Sequence, residues 1–272
     1  MPELPEVETC VRYLSSQITN DCILHQYAFR KDLRFPIPEA LLNSNKPLVL
    51  TSVQRRHKYL VFQTSSSDRD FVIHLGMSGV LRLVPTDEIS RKKHDHYQID
   101  FKSHRSLILN DPRRFGAVLL LSQLKPNSAP CALNELTAAN LQALCSQSNQ
   151  PIKSLLLNQQ KISGLGNIYV CEALYLAQIS PHQHACALKY PQVRALTFAI
   201  KLVLKKALLH GGTSIRDFKS PDQSLGYFQH HLWVYNQEGK SCRRARCSQE
   251  IKRHIQANRS TFFCASCQKP AP

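Results

Sequence analysis

The chain has 272 residues, 43% of them hydrophobic and 20% charged, which excludes wholesale disorder and predicts two domains rather than one or four. Thirty-five Lys and Arg stand against 19 Asp and Glu, a net charge of +16, so a phosphate polymer or an anionic surface is the expected partner. No apolar run reaches the roughly 20 residues a bilayer span needs, and Glu3, Glu6 and Glu8 stand where a secretory signal would be basic and apolar, so a cytoplasmic location without membrane contact is expected.

Residues 2–19 read as a helix, because Leu4, Val7, Val11, Leu14 and Ile18 recur at spacings of three and four. Its two prolines and three glutamates crowd the first turns, where N–H groups have no partner and the helix dipole favours acids. From 48 to 121 the pattern changes to short β-branched and aromatic runs: 48–64, 70–84, 96–101, 105–110 and 116–121. Tyr97, Ile99 and Phe101 alternate with polar neighbours, as in a strand buried on one face, and several such strands predict an antiparallel sandwich or barrel. Residues 126–136 read as a linker. Helices follow: one capped by Thr137, one in KSLLLNQ, one in NIYVCEALYLAQ, and one over 191–210 that ends at Gly211-Gly212.

Six of the ten cysteines (Cys10, Cys22, Cys131, Cys145, Cys171, Cys186) are scattered through apolar patterns, as reduced buried thiols are. The other four, Cys242, Cys247, Cys264 and Cys267, have the spacing C-x4-C-x16-C-x2-C. Two close pairs separated by a hairpin length can set four thiolates around one Zn²⁺, a structural site that also supplies folding energy. Lys252, Arg253, His254 and Arg259 lie between the pairs. That cluster reads equally well as a phosphate-gripping tip or as a solvated charged face.

The N-terminus can be a site. Removal of the initiator methionine, usual before a small residue, would leave the Pro2 secondary amine at the positive end of a helix, where protonation is disfavoured. An unprotonated amine is a nucleophile able to form an iminium, and Glu3 and Glu6 share a helix face beside it to move protons. Taken alone, the acids read more readily as ordinary helix capping than as a site.

Together, PELPEVET at 2–9, HLGMSG at 74–79, NDPRRFG at 110–116, SGLGNIYVCEALYLAQISP at 163–181, GGTSIRDF at 211–218 and RSTFFCASCQK at 259–269 resemble the bacterial formamidopyrimidine-DNA glycosylases, a family shared with endonuclease VIII. The resemblance implies an α+β fold: a β-sandwich with a leading helix over 1–130, a helix–two-turn–helix domain over 131–234 and a zinc-finger β-hairpin over 235–272. It implies a monomeric base-excision repair enzyme that removes oxidised purines from damaged double-stranded DNA and cuts the strand by β,δ-elimination. By the same resemblance Pro2 is the nucleophile, Glu3 the acid/base, Glu6 the support of the amine, and Lys58 a strand lysine gripping a phosphate. Met77, Arg113 and Phe115 fill the void left by the everted nucleotide. His94, Lys153, Asn167 and Arg259 contact DNA, and Glu172 is structural. Two alternatives stay open: a pyrimidine-directed enzyme like endonuclease VIII, and a catalytically idle zinc-dependent damage-binding protein. Three departures stand out. The first cysteine pair is x4 rather than x2, LLDQ reads LLNQ at 156–159, and the loop KSPDQSLGYF at 219–228 lacks a central glycine.

Overall fold

A computed structural model of the chain describes residues 2–42, 47–214 and 219–269; Met1 and the end of the 211–218 motif lie outside the described residues. The chain divides into two units. One comprises residues 1–126 with 210–229, and the other 127–209 with 230–272.

The first unit opens with α1 (Leu4–Ile18), whose expected apolar stripe is the buried one: Leu4, Val7, Val11, Leu14 and Ile18 are all 7% exposed or less. Each such side chain contributes about 1.5–3 kcal/mol by leaving water. The helix begins two residues later than the periodicity suggests, with Glu3 as N-cap and Pro5 inside the first turn. Then come β1 (Cys22–Ala28), the short α2 (Glu39–Leu42), β2 (Leu48–Arg56), β3 (Tyr59–Thr64), β4 (Phe71–His74), β5 (Val80–Pro85), β6 (Asp95–Phe101), β7 (Arg105–Asn110) and β8 (Ala117–Leu120). The strands form an eight-stranded antiparallel sheet in the order β5-β7-β6-β1-β2-β3-β4-β8. Only two residue pairs join β1 to β2, so the sheet is weakly pinned at its middle. Side chains from both halves (Leu81, Tyr97, Ile99, Leu107 from one; Leu50, Phe62, Phe71, Ile73 from the other) pack with α1 into one core, which makes the sheet a sandwich.

Two runs read as single stretches in the sequence are in fact pairs of strands. The 48–64 run turns at His57-Lys58, where His57 has φ +58°, and the 70–84 run breaks at Gly76, φ +61°. Strand β1 escaped the pattern because its outward positions include the aromatic Tyr27 and its inward ones the polar Gln26, whose amide oxygen accepts from the Tyr97 hydroxyl.

The second unit holds α3 (Ala138–Ser146), α4 (Ile152–Leu157), α5 (Asn167–Leu176) and α6 (Tyr190–Leu209), then the hairpin β9 (Lys252–Gln256) and β10 (Arg259–Phe263). Thr137 caps α3 as expected, its hydroxyl accepting from the Asn140 N–H at 3.2 Å. The hairpin turns on Ala257 and Asn258, both at positive φ, the mirror-image turn whose twist suits a two-residue loop. Of the six scattered cysteines, Cys10, Cys131, Cys145 and Cys171 are buried, but Cys22 is half-buried and Cys186 exposed. No helix among the described residues is long and apolar enough to cross a membrane.

Candidate functional site

In the first unit the start of α1 is enclosed. Pro2, Glu3 and Glu6 are all buried. Glu6 explains the enclosure. One carboxylate oxygen accepts from the Glu3 N–H at 2.8 Å and the other from the Thr213 N–H at 2.8 Å. The same side chain thus caps the helix and ties it to residues 212–213. Gly212 must be glycine there: its φ is +79°, and a Cβ would lie 3.0 Å from the Glu6 carboxylate.

Lys58, expected on a strand, occupies the two-residue turn between β2 and β3 and is buried. That turn is held to α1 by Arg55, whose guanidinium donates to the Glu8 carboxylate at 2.7 Å and to the His57 carbonyl at 3.0 Å. Burial would raise the Glu8 pKa, but hydrogen bonds from Arg55 and Arg12 hold it below the usual carboxylate value. Next to Lys58 stands His74, which the sequence reading passed over. Burial, then the charges of Lys58 and Arg34, depress its pKa to about 4. Its ring nitrogen Nδ1 accepts from the Gly76 N–H at 3.1 Å, so the proton of the neutral ring is on Nε2. The charges of Lys58 and Arg34 thus both act on the buried His74 ring.

Met77 and Phe115 are exposed, 41% and 43%, on two adjoining loops, and the Arg113 guanidinium lies over the Phe115 ring at 4.8 Å. The loops touch so closely that a Cβ on Gly76 would sit 2.3 Å from the Phe115 backbone. Asp111, fully buried, binds them together. It accepts from the Ser78 hydroxyl at 2.6 Å and the Gly116 N–H at 2.7 Å, while Ser78 accepts in turn from the Arg113 N–H at 3.2 Å. An aspartate before Pro-Arg-Arg was visible in the sequence, but nothing there said it would be buried. His94 lies in the turn before β6, and its carbonyl accepts from the Asp111 N–H at 2.9 Å.

In the second unit Lys153 is 1% exposed and donates to the Ser260 carbonyl at 3.1 Å and the Thr261 hydroxyl at 2.7 Å. Burial lowers its pKa. Asn167, the first residue of α5, donates to the same Ser260 carbonyl at 2.8 Å, leaving its buried Oδ1 without a partner. Both side chains therefore fix β10 next to Arg259, which is exposed. Glu172 lies buried on α5 and accepts from the N–H groups of Trp233, Val234 and Tyr235 at 2.8–3.0 Å.

The four cysteine sulfurs all lie within 4.8 Å of one another, with Cys242–Cys267 at 3.9 Å and Cys247–Cys264 at 3.7 Å. A tetrahedron with metal–sulfur bonds of about 2.3 Å has edges of about 3.8 Å, so the set fits one metal ion. Burial would raise the Cys242 pKa, but the Tyr175 hydroxyl donating at 3.2 Å and the neighbouring donors pull it down to about 7, toward the thiolate a metal needs. The wide first pair has a use: Arg244, between its cysteines, donates to the carbonyls of Tyr175 and Leu176 at the end of α5 at 2.8 and 2.9 Å.

The family profile described as Formamidopyrimidine-DNA glycosylase N-terminal domain matches residues 1–118, and that of the Formamidopyrimidine-DNA glycosylase H2TH domain matches residues 128–219. The formamidopyrimidine-DNA glycosylase of Xanthomonas oryzae pv. oryzae (strain PXO99A) is 40% identical over 275 residues, which covers 99% of this chain and all of that one. The chain belongs to the formamidopyrimidine-DNA glycosylase family. Its fold is that of the family's solved members. Lactococcus lactis Fpg in complex with abasic-site DNA superposes with a TM-score of 0.89 at 33% identity, and MutM in complex with carbocyclic 8-oxo-G DNA with 0.88 at 34%, each covering 98% of this chain and all of the other. The expected α+β architecture, family and enzyme class are therefore those of the molecule: a DNA glycosylase of the formamidopyrimidine-DNA glycosylase family.

Proposed function

We propose that this glycosylase removes oxidised purines, 8-oxoguanine and formamidopyrimidines, from duplex DNA and cuts the strand at the resulting site through a Schiff base on Pro2. The observation that carries the reading is the enclosed start of α1, where Glu6 holds the segment bearing Pro2 and Glu3 by two buried hydrogen bonds. With methionine removed, the Pro2 nitrogen forms a bond to C1′ as the bond from C1′ to the base breaks and its electron pair leaves with the protonated base, and Glu3 takes the N–H proton that the new ammonium sheds. Ring opening, with Glu3 giving a proton to O4′, leaves an iminium that acidifies C2′. Loss of that proton expels the 3′ phosphate, and a second elimination expels the 5′ phosphate.

Lys58 and His74 hold the phosphate next to the lesion in this scheme; an anion arriving there favours the protonated imidazole that burial suppresses. Met77, Arg113 and Phe115 enter the space left by the everted nucleotide, Met as a flexible apolar plug, Phe as a wedge and Arg as a planar donor to the orphaned base. His94 adds a contact to the strand. Asn167 and Arg259 grip the backbone, and Lys153 keeps the Arg259 strand in place. The cysteines hold one structural Zn²⁺, which fixes the hairpin and takes no part in the chemistry.

Borohydride reduces an iminium to a stable amine, so it tests the reading. Processed protein is expected to become covalently trapped on 8-oxoguanine duplex, and acetylation of Pro2 to abolish trapping, with N-terminal mass measured on the same sample. Trapping that survives complete acetylation removes Pro2 from the mechanism. On a panel of duplexes, cleavage dominated by thymine glycol would replace the purine reading with a pyrimidine one. Salt-sensitive binding with no base release would leave only a damage-binding protein.

A further inference from the structure

Strand β1 carries a feature that the excision reaction does not use. His25 and Tyr27 sit on one face of the strand, the face turned away from the sandwich core, Phe29 follows in the bend just past its end, and all three are exposed. Their rings form a ladder: His25 to Tyr27 is 5.9 Å between centroids, and Tyr27 to Phe29 is 6.5 Å with the planes only 8° apart. Exposed aromatic rings at this density normally pack against something. Here the neighbours on the same face are polar. Gln98 stands opposite Tyr27, and Asp100 opposite His25 is already occupied by Gln98 and Ser106, at 2.7 and 2.5 Å.

The Phe29 end of the ladder is cationic. Arg91 lies over the Phe29 ring at 4.2 Å, and Lys92 and Lys93 follow it in an exposed turn. Arg30 and Lys31 follow Phe29 in the chain and are exposed, Arg30 partly offset by Asp32 at 3.0 Å. This end is also joined to the candidate site. The Phe29 N–H donates to the His96 carbonyl, and the His96 ring bonds the carbonyl of Asp111, the residue that holds the Met77 and Arg113 loops.

We propose that the His25–Tyr27–Phe29 ladder, with Arg91 and the 91–93 turn, is a second nucleic-acid surface that takes unpaired DNA by stacking bases on its rings. The proposal rests on the reading of this protein as a DNA enzyme. Stacking favours unpaired over duplex DNA, because a base offers its face to a ring only when it has left its own stack. The cations supply phosphate contacts at one end, where the ladder meets the loops that would hold a distorted duplex. The surface would hold a strand running off a nick, gap or frayed end near the lesion. A protein partner fits less well, since the cross-strand partners of the ladder, Gln98 and Asp100, are polar and five exposed cations lie close in sequence to its Phe29 end or over its ring.

Full-length protein with oligo(dT) of about twenty nucleotides tests this by fluorescence anisotropy. Tyr27→Ala and Phe29→Ala are each expected to weaken binding roughly tenfold, the double variant more, with steep salt dependence retained. An oligonucleotide carrying 5-iodouracil should photocrosslink to the peptide spanning residues 22–30, read by mass spectrometry. Lesion-duplex trapping, measured on the same preparations, is expected to be unchanged in the variants. Unchanged oligo(dT) affinity in the folded double variant, or crosslinks confined to other peptides, overturns the ladder. Loss of trapping in the unaltered protein would instead strike the excision reading, so the two failures are distinguishable.

Discussion

The sandwich and the cysteine-bearing hairpin region solve the same problem, holding a few polar groups still, by opposite means. The sandwich has a large apolar core running from Val7 to Val118, and its functional loops hang from that core by single buried carboxylates, Glu6 and Asp111. The hairpin region has only a small cluster around Cys171, Tyr175, Val234, Ile251 and Phe262, and two of its seven members are candidate metal ligands. Where hydrophobic burial is ample, one aspartate suffices to set a loop. Where it is scarce, metal bonds and buried donors must hold the strand pair together.

Metal removal should separate the units most sharply. Structural zinc contributes on the order of 10 kcal/mol in small domains, so a chelator is expected to melt the β9–β10 hairpin and lower DNA affinity by orders of magnitude while the sandwich keeps its structure. Hydrogen exchange resolved by peptide checks this; full protection of residues 252–263 without metal would show that the cluster around Ile251 and Phe262 is sufficient.

Asp111→Ala is the matching experiment in the sandwich. It strands the Ser78 hydroxyl and the Gly116 N–H in a buried place, at about 1–3 kcal/mol each. The expected result is a lower Tm together with a loss of opposite-base discrimination, since Met77 and Arg113 are no longer held in register. Discrimination measured on duplexes with each opposite base would reveal a purely structural role if it stayed intact.

Lys153→Met should cost less, about 1–3 kcal/mol, because the methylenes stay packed and the Ser260 carbonyl retains Asn167. Weakened DNA binding with metal still bound is the expected outcome, measured by anisotropy beside a metal assay. Loss of the metal as well would make Lys153 part of the metal site's support.

The last test concerns pH. His74 has its folded pKa depressed to about 4 from 6.5, so below 6.5 the unfolded chain takes up a proton that the folded protein refuses. Stability from this group is therefore complete above pH 6.5 and declines as the solution is acidified toward pH 4. His74→Gln should flatten that part of the curve, measured by urea unfolding at pH 4.5 and 7. An unaltered slope would place the acid sensitivity elsewhere, as in the Glu8–Arg55 pair, whose contribution is lost only in the carboxylate range.

By itself the sequence determined the α1 stripe, the Thr137 cap, the start of α5, α6 to within one residue at each end and the cysteine set, because each rests on local periodicity, a capping residue or a short spacing. Pattern also marked most of the sheet, but not β1, whose inward Gln26 oxygen accepts from Tyr97, some seventy residues away. The sequence named Lys58, Met77, Arg113 and Phe115 through resemblance alone, and put Lys58 on a strand that turned out to be a turn. Only the tertiary structure decided that Glu6 bonds Thr213, that Asp111 joins two loops, that Lys153 lies under β10 and that His74 is held neutral beside Lys58. Those are meetings of residues far apart in the chain, fixed by burial and by the need of each buried polar group for a partner, and neither leaves a mark on local sequence.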